Sequence, residues 1–173
     1  MNKISIVLLA FIILFISCRE EQSQQHELEA KEIAIKATLN DMVTQCWNNK
    51  DMEKFRAIAS ENFMRKNNGI IVANNRNEME ATMNVFFTGF PDLEVILNNT
   101  IIKGNQSFTQ WTALGANTGI FGETAATGKK VKFSGYSVGY YNDEGKYTGE
   151  EVYYNELELL QQLGYTLVSP IVE

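Results

Sequence analysis

The chain of 173 residues is poor in the side chains on which metal and acid–base chemistry usually rests: two cysteines, Cys18 and Cys46, and one histidine, His26. Two cysteines and a single histidine cannot assemble a zinc site of the usual four-ligand kinds, and no metal is expected. His26 lies in a polar stretch, Arg19 to Glu27, so the remainder has no imidazole and lacks the default general base near neutral pH. Lys and Arg number 15 against 21 Asp and Glu, for a formal net charge of −6, and the basic residues form no cluster. Phosphates need cationic partners, so nucleic acid is excluded, as is electrostatic adhesion to anionic lipid. Long apolar runs are also missing. The longest, Ile4 to Ile16, spans about 20 Å as a helix, short of the roughly 30 Å of a bilayer core.

No cofactor motif is present. Gly122 to Lys130 has five residues between its glycines and no Ser or Thr after the lysine, so it fails as a phosphate loop. Asn142-Asp143-Glu144-Gly145 reads as a hairpin turn, because the later acidic ligands of a calcium loop do not follow.

What is there begins with Lys3 and the apolar run before Ser17-Cys18, the layout of a cleaved signal peptide over residues 1–17. Leu14-Phe15-Ile16-Ser17-Cys18 resembles a bacterial lipoprotein signal, which implies acylation of Cys18 and a protein tethered to a membrane of the cell envelope by lipid alone. Cys46 is then the sole thiol, and no intrachain disulfide forms. Residues 18–27 suit a polar tether, and 28–173 suffice for one domain.

Within that domain, Leu28, Ile35, Leu39, Met42 and Cys46 recur at helical spacings, predicting one long amphipathic helix to Trp47 with Cys46 as a buried small hydrophobe. Asp51 can cap a short helix through Ala59 with Phe55 and Ile58 inward. Asn77 with Glu80 fits the start of another helix, carrying Met79, Met83, Phe86 and Phe87. Pro91 ends the helical part. Leu93–Leu97, Thr100–Lys103, Ser107–Leu114, Lys130–Tyr141 and Lys146–Tyr154 are β-branched or aromatic runs separated by Gly and Asn, which predicts an antiparallel meander and an α+β domain.

The segment from Phe90 to Gly164 resembles the SnoaL-like polyketide cyclases, or ester cyclases, of the nuclear-transport-factor-two-like superfamily. The resemblance rests on Phe90-Pro91-Asp92-Leu93, Gln110-Trp111-Thr112, Gly115 to Gly119, Thr127 to Val131, Gly145-Lys146 and Leu159 to Gly164, with a weaker helical match over 34–64. It implies a curved antiparallel sheet and N-terminal helices packed into a cone around a ligand cavity. It also implies intramolecular aldol closure, with a His in the glycine-rich loop and an Asp before the last helix. Those positions hold Asn117 and Asn155 here, and an amide cannot take a carbon-bound proton, though it can hydrogen-bond a carbonyl or hydroxyl.

A substitute base stands nearby. Glu151, Tyr153 and Asn155 alternate along a strand and share one face; if Asn155 faces the cavity, so does Glu151. Pairing Tyr141 with Lys146 across the turn places Tyr136 opposite Glu151, and desolvation would disfavour the charge of that carboxylate. A register slip of one residue sends Glu151 to solvent instead. Trp111, Phe86 and Phe90 are further candidates for the cavity wall, against a plain core role. Three readings follow: a lipid-anchored domain that binds a small hydrophobic molecule through Asn117, Asn155, Tyr153 and other tyrosine hydroxyls; a cyclase-like enzyme using Glu151 with Tyr136 or Tyr153; and a module that forms a homodimer through the sheet face. None requires a cofactor.

Overall fold

The computed structural model describes residue 22 and residues 24–169. The expected signal peptide and Cys18 lie outside the described residues. Helix α1 covers residues 24–48, with its last part, Met42–Asn48, wound as a π-helix. Its buried stripe is Ile35, Leu39, Met42, Val43 and Cys46, whereas Leu28 is exposed. Residues 24–27, expected as a tether, are the start of this helix, where Gln25 Nε2 donates to Glu29 Oε1 one turn on (3.1 Å). No helix among the described residues is long and apolar enough to cross a membrane.

Helix α2, Met52–Ile58, starts at Asp51, whose side chain accepts from the Lys54 amide (2.8 Å) as the sequence suggested. Helix α3, Arg76–Gly89, starts two residues before the expected position. Asn75 accepts from the Glu78 amide (2.9 Å), and Glu78 accepts in return from the Asn74 amide (2.8 Å). That reciprocal pair satisfies the free donors of the first turn better than Asn77 with Glu80. Glu80 instead holds Arg56.

The sheet has six strands in the order β2-β1-β6-β5-β4-β3. They are β1 (Ala59–Asn67), β2 (Ile70–Ala73), β3 (Glu94–Lys103), β4 (Gln106–Ala116), β5 (Lys130–Tyr141) and β6 (Tyr147–Tyr154), followed by helix α4 (Glu156–Leu163). The expected meander is β3 to β6, with Leu93–Leu97 and Thr100–Lys103 fused into one strand that bulges between Leu97 and Asn99. The sequence reading lacked β1 and β2, a hairpin turned by Asn68 (φ 49°) and Gly69 (φ 84°). Strand β1 then lies parallel to β6, so the sheet is mixed, not purely antiparallel.

Two buried clusters flank the concave face. Ile35, Phe55, Phe63, Met79, Met83 and Tyr147 form one; Phe90, Leu93, Phe133, Leu159 and Leu163 belong to the other. Trp47 packs against both, with its ring 6.0 Å from Phe86 and 5.7 Å from Phe87. Between the clusters the interior is not filled.

Candidate functional site

The unfilled region is a cavity of about 80 Å³, bounded by α1, α3 and the concave face of β3 to β6. Met42, Val43 and Trp47 of the π-helical stretch form its roof. A π-turn widens the helix and redirects its side chains, and such turns recur at functional sites. Leu39 and Leu97 also line a surface groove between α1 and β3.

Strand registers order the floor into three rows. The first runs Ser107, Gly139, Glu150, Arg65 across β4, β5, β6 and β1; the second runs Thr109, Ser137, Val152; the third runs Trp111, Gly135, Tyr154. At the two glycines neighbouring side chains take the space that a Cβ would fill. A Cβ on Gly135 would stand 2.5 Å from the Trp111 ring, and one on Gly139 would stand 2.5 Å from Ser107 Oγ and 3.0 Å from the Tyr141 hydroxyl. The absent side chains let neighbouring rings lie over the sheet.

Arg65 and Glu150, each 6 % exposed, form an ion pair at one end of the cavity. Glu150 Oε1 accepts from Arg65 Nη1, and Oε2 accepts from the Tyr147 hydroxyl (2.8 Å). Arg65 Nε donates to Asn67 Oδ1 (2.8 Å), and its guanidinium lies 5.7 Å from the Trp47 ring centroid. Burial, then the Glu150 charge, raises the Tyr147 hydroxyl well above the usual phenol range, so it is a donor at neutral pH. The Tyr141 ring stacks on Tyr147 at 5.0 Å, and its hydroxyl shares a 3.0 Å hydrogen bond with Ser107 Oγ. Glu150 is the sole carboxylate among the cavity-lining residues.

The expected site residues fall in three places. Trp111 and Phe86 line the cavity, and Trp111 Nε1 donates to Ser137 Oγ (2.8 Å). Phe90 is wholly buried beneath it, packed on Phe121 at 5.1 Å, and is core. Glu151, Tyr153 and Tyr136 do share one face, but it is the outer one. Lys66 Nζ (2.9 Å) and the Tyr153 hydroxyl (3.1 Å) donate to Glu151, while Tyr136 is 58 % exposed. Those bonds from Lys66 and Tyr153 hold Glu151 below the usual carboxylate range, opposite to the rise that a cavity would bring. Two things displaced this expectation. A bulge at Tyr140/Tyr141 pairs Tyr141 with Tyr147, so Tyr136 opposes Tyr153 and Val138 opposes Glu151. Strand β6 turns Glu150, Val152 and Tyr154 to the cavity and ends at Tyr154, so Asn155 does not report which face is inner.

Asn155 is therefore not a strand residue. Its side chain caps α4 by accepting from the Glu158 amide (3.2 Å). Asn117, fully buried, closes the loop between β4 and β5. Its Nδ2 donates to Gly89 O (3.1 Å) and Gly119 O (2.9 Å), and its Oδ1 accepts from the Thr127 amide (2.8 Å) and hydroxyl (2.9 Å). Neither amide lines the cavity. Cys46 is wholly buried; burial, and then the charges of Asp51 and Asp41, push its thiol up to about 12, leaving it unreactive.

Arg65, Glu150, Tyr147 and Thr109 are what the sequence reading missed. Asn68-Gly69 was the available signal: a two-residue hairpin turn there makes the preceding residues a strand and brings Arg65 into the sheet.

The family described as SnoaL-like polyketide cyclase matches residues 37–163. Among solved structures, one from Jannaschia sp. CCS1, assigned to the SnoaL-like polyketide cyclases, is 20% identical, with TM-score 0.71, covering 79% of this chain and 95% of that one. AclR of Streptomyces galilaeus, assigned as a hydroxylase, is 22% identical, with TM-score 0.68, covering 77% and 97%. IdmH of Streptomyces antibioticus, assigned as a polyketide cyclase, is 16% identical, with TM-score 0.65, covering 76% and 99%. At these identities the likeness is one of fold. No curated protein matches the sequence.

Proposed function

The chain belongs to the SnoaL-like polyketide cyclase family, and on that premise we propose that its domain holds a small, largely apolar compound in the cavity, against the wall that carries Arg65, Glu150 and Tyr147. The observation behind this reading is an apolar chamber with one buried ion pair in its wall. Such chambers are the common form of small-molecule sites, apolar lining giving affinity and a few polar groups giving orientation. Binding without proton transfer is favoured because both Glu150 oxygens already accept hydrogen bonds, and both family acid/base positions are occupied by amides with structural roles.

A second reading keeps the cyclase-type chemistry of the family and gives Glu150 the acid/base part that the sequence suggested for Glu151. Its support is that Glu150 alone brings a carboxylate to the cavity. One experiment separates the two. A panel of small cyclic ketones and lactones is titrated calorimetrically into wild type, Glu150→Gln and Glu151→Gln, with products followed by mass spectrometry. Binding that survives Glu151→Gln and weakens in Glu150→Gln, without product, supports the binding reading. Product formed by wild type and abolished in Glu150→Gln with binding retained replaces it by the enzyme reading.

Tethering through an acylated Cys18 at the cell envelope remains part of the proposal, tested by mass spectrometry of the mature N-terminus. Self-association through the outer sheet face is proposed as well, on the exposed Ile101, Phe108 and Tyr136, and a monomeric mass at micromolar concentration would refute it.

A further inference from the structure

We infer that Thr109 selects the ligand, and that the compound taken up is an uncharged one-ring molecule whose single oxygen meets the Thr109 hydroxyl. This rests on the reading of the cavity as a ligand site. Thr109 is on the inner face of β4 in the middle row of the floor, 2 % exposed, and its Oγ1 has no hydrogen-bond partner. A buried hydroxyl left unpaired is costly, and native structures rarely leave one without reason.

The other buried polar side chains of the cavity wall have partners, Arg65 and Glu150 in each other. Ser107 Oγ is engaged with Tyr141, Ser137 Oγ accepts from Trp111 Nε1, and Tyr147 donates to Glu150. The one other unpartnered buried side-chain atom among the described residues, Arg76 Nε, is not on the cavity. Thr109 pairs directly with Ser137 across β4 and β5, so an oxygen placed over this pair meets two hydroxyls, the Ser137 proton among them. Beyond them the wall is Leu39, Val43, Leu97 and Val152, which accept only hydrocarbon.

Charge and size narrow the class further. Arg65 and Glu150 neutralise each other, so an ionised ligand would bring an uncompensated charge into a buried site. A volume of about 80 Å³ equals roughly five to eight water positions at 10–15 Å³ each, which suits one ring with short substituents rather than several fused rings.

Cyclohexanone and methylenecyclohexane differ only in C=O against C=CH2 and are the probes of choice, with cyclohexanecarboxylate as the charged control. Calorimetric titration of the full chain is expected to show wild type and Thr109→Ser preferring the ketone by about fivefold or more, the contribution of one neutral hydrogen bond. In Thr109→Val the preference should fall severalfold, to the share that the Ser137 hydroxyl supplies, while alkene affinity is retained. A ketone preference undiminished in Thr109→Val overturns the inference and leaves the cavity reading standing. Carboxylate binding tighter than ketone overturns the claim of an uncharged ligand. If neither neutral probe binds wild type, the cavity reading falls with it.

Discussion

Arg65 and Glu150 are direct partners across the one parallel strand pair of the described sheet, and their side chains form an ion pair that is almost completely buried. Both charges were stripped of water for it. In such pairs the loss of one partner is costly because the other remains buried and uncompensated.

Glu150→Gln should accordingly lower the stability of the domain by about 3 kcal/mol, whereas replacing both charges, as Arg65→Met with Glu150→Leu, should cost far less or nothing. Urea unfolding of the two variants beside wild type measures this. A double variant as unstable as the single one would show that the cluster holds the fold through geometry rather than charge balance.

Trp47 and Trp111 are the two tryptophans of the chain, and both line the cavity. Intrinsic fluorescence is therefore expected to shift or quench on cavity binding, and Trp111→Phe should remove part of that response without removing the Trp47 part. A bound compound that leaves both signals unchanged lies elsewhere on the molecule.

Asn117 fills its four hydrogen bonds between the end of α3 and the loop that follows β4. Asn117→Ala should destabilise the domain by about 1–3 kcal/mol, the cost of leaving buried partners unpaired, and should leave ligand affinity of the folded protein unchanged. Asn117→His, the residue type that the resemblance implies for this loop, should also destabilise, since a wholly buried site has no room for the ring. Catalytic gain in that variant would contradict the position described here.

Strands β3 to β6 and helices α1 to α3 were legible because their apolar residues repeat with the period of the element and their ends carry Gly, Asn or Asp. The site was much less so. Alternation alone does not say which face of β6 points inward, and Asn155, on which the choice rested, reads equally well as a strand residue or as a helix cap. Glu158, three residues on, was the available cue: it matches the Asn75 and Glu78 arrangement that starts α3. Arg65 escaped notice for a different reason. Strand β1 alternates poorly, and its partner β6 is 85 residues away in sequence, a pairing that no local pattern encodes.

Alkaline conditions provide a further check. The unfolded Cys46 thiol ionises near pH 8.5, whereas the folded one is held up to about 12. A raised folded value means that the folded state keeps its proton while the unfolded state gives one up. This contribution to stability is thus intact below about pH 8.5 and is lost as the pH rises toward 12. At pH 10 the loss amounts to about 2 kcal/mol relative to pH 7. The buried tyrosines Tyr141 and Tyr147 act in the same direction, so the Cys46 share is read as the difference in urea-midpoint shift between wild type and Cys46→Ala. Equal shifts in the two proteins would count against a buried thiol.

Gly135 and Gly139 give the glycine floor of β5 an evolutionary meaning. A methyl group at the first would overlap the Trp111 ring and the Tyr153 carbonyl, and at the second it would press on Ser107, Tyr141 and Tyr147. A lineage that keeps these rings over the sheet is therefore bound to both glycines, and a change of cargo has to come from the side chains around them.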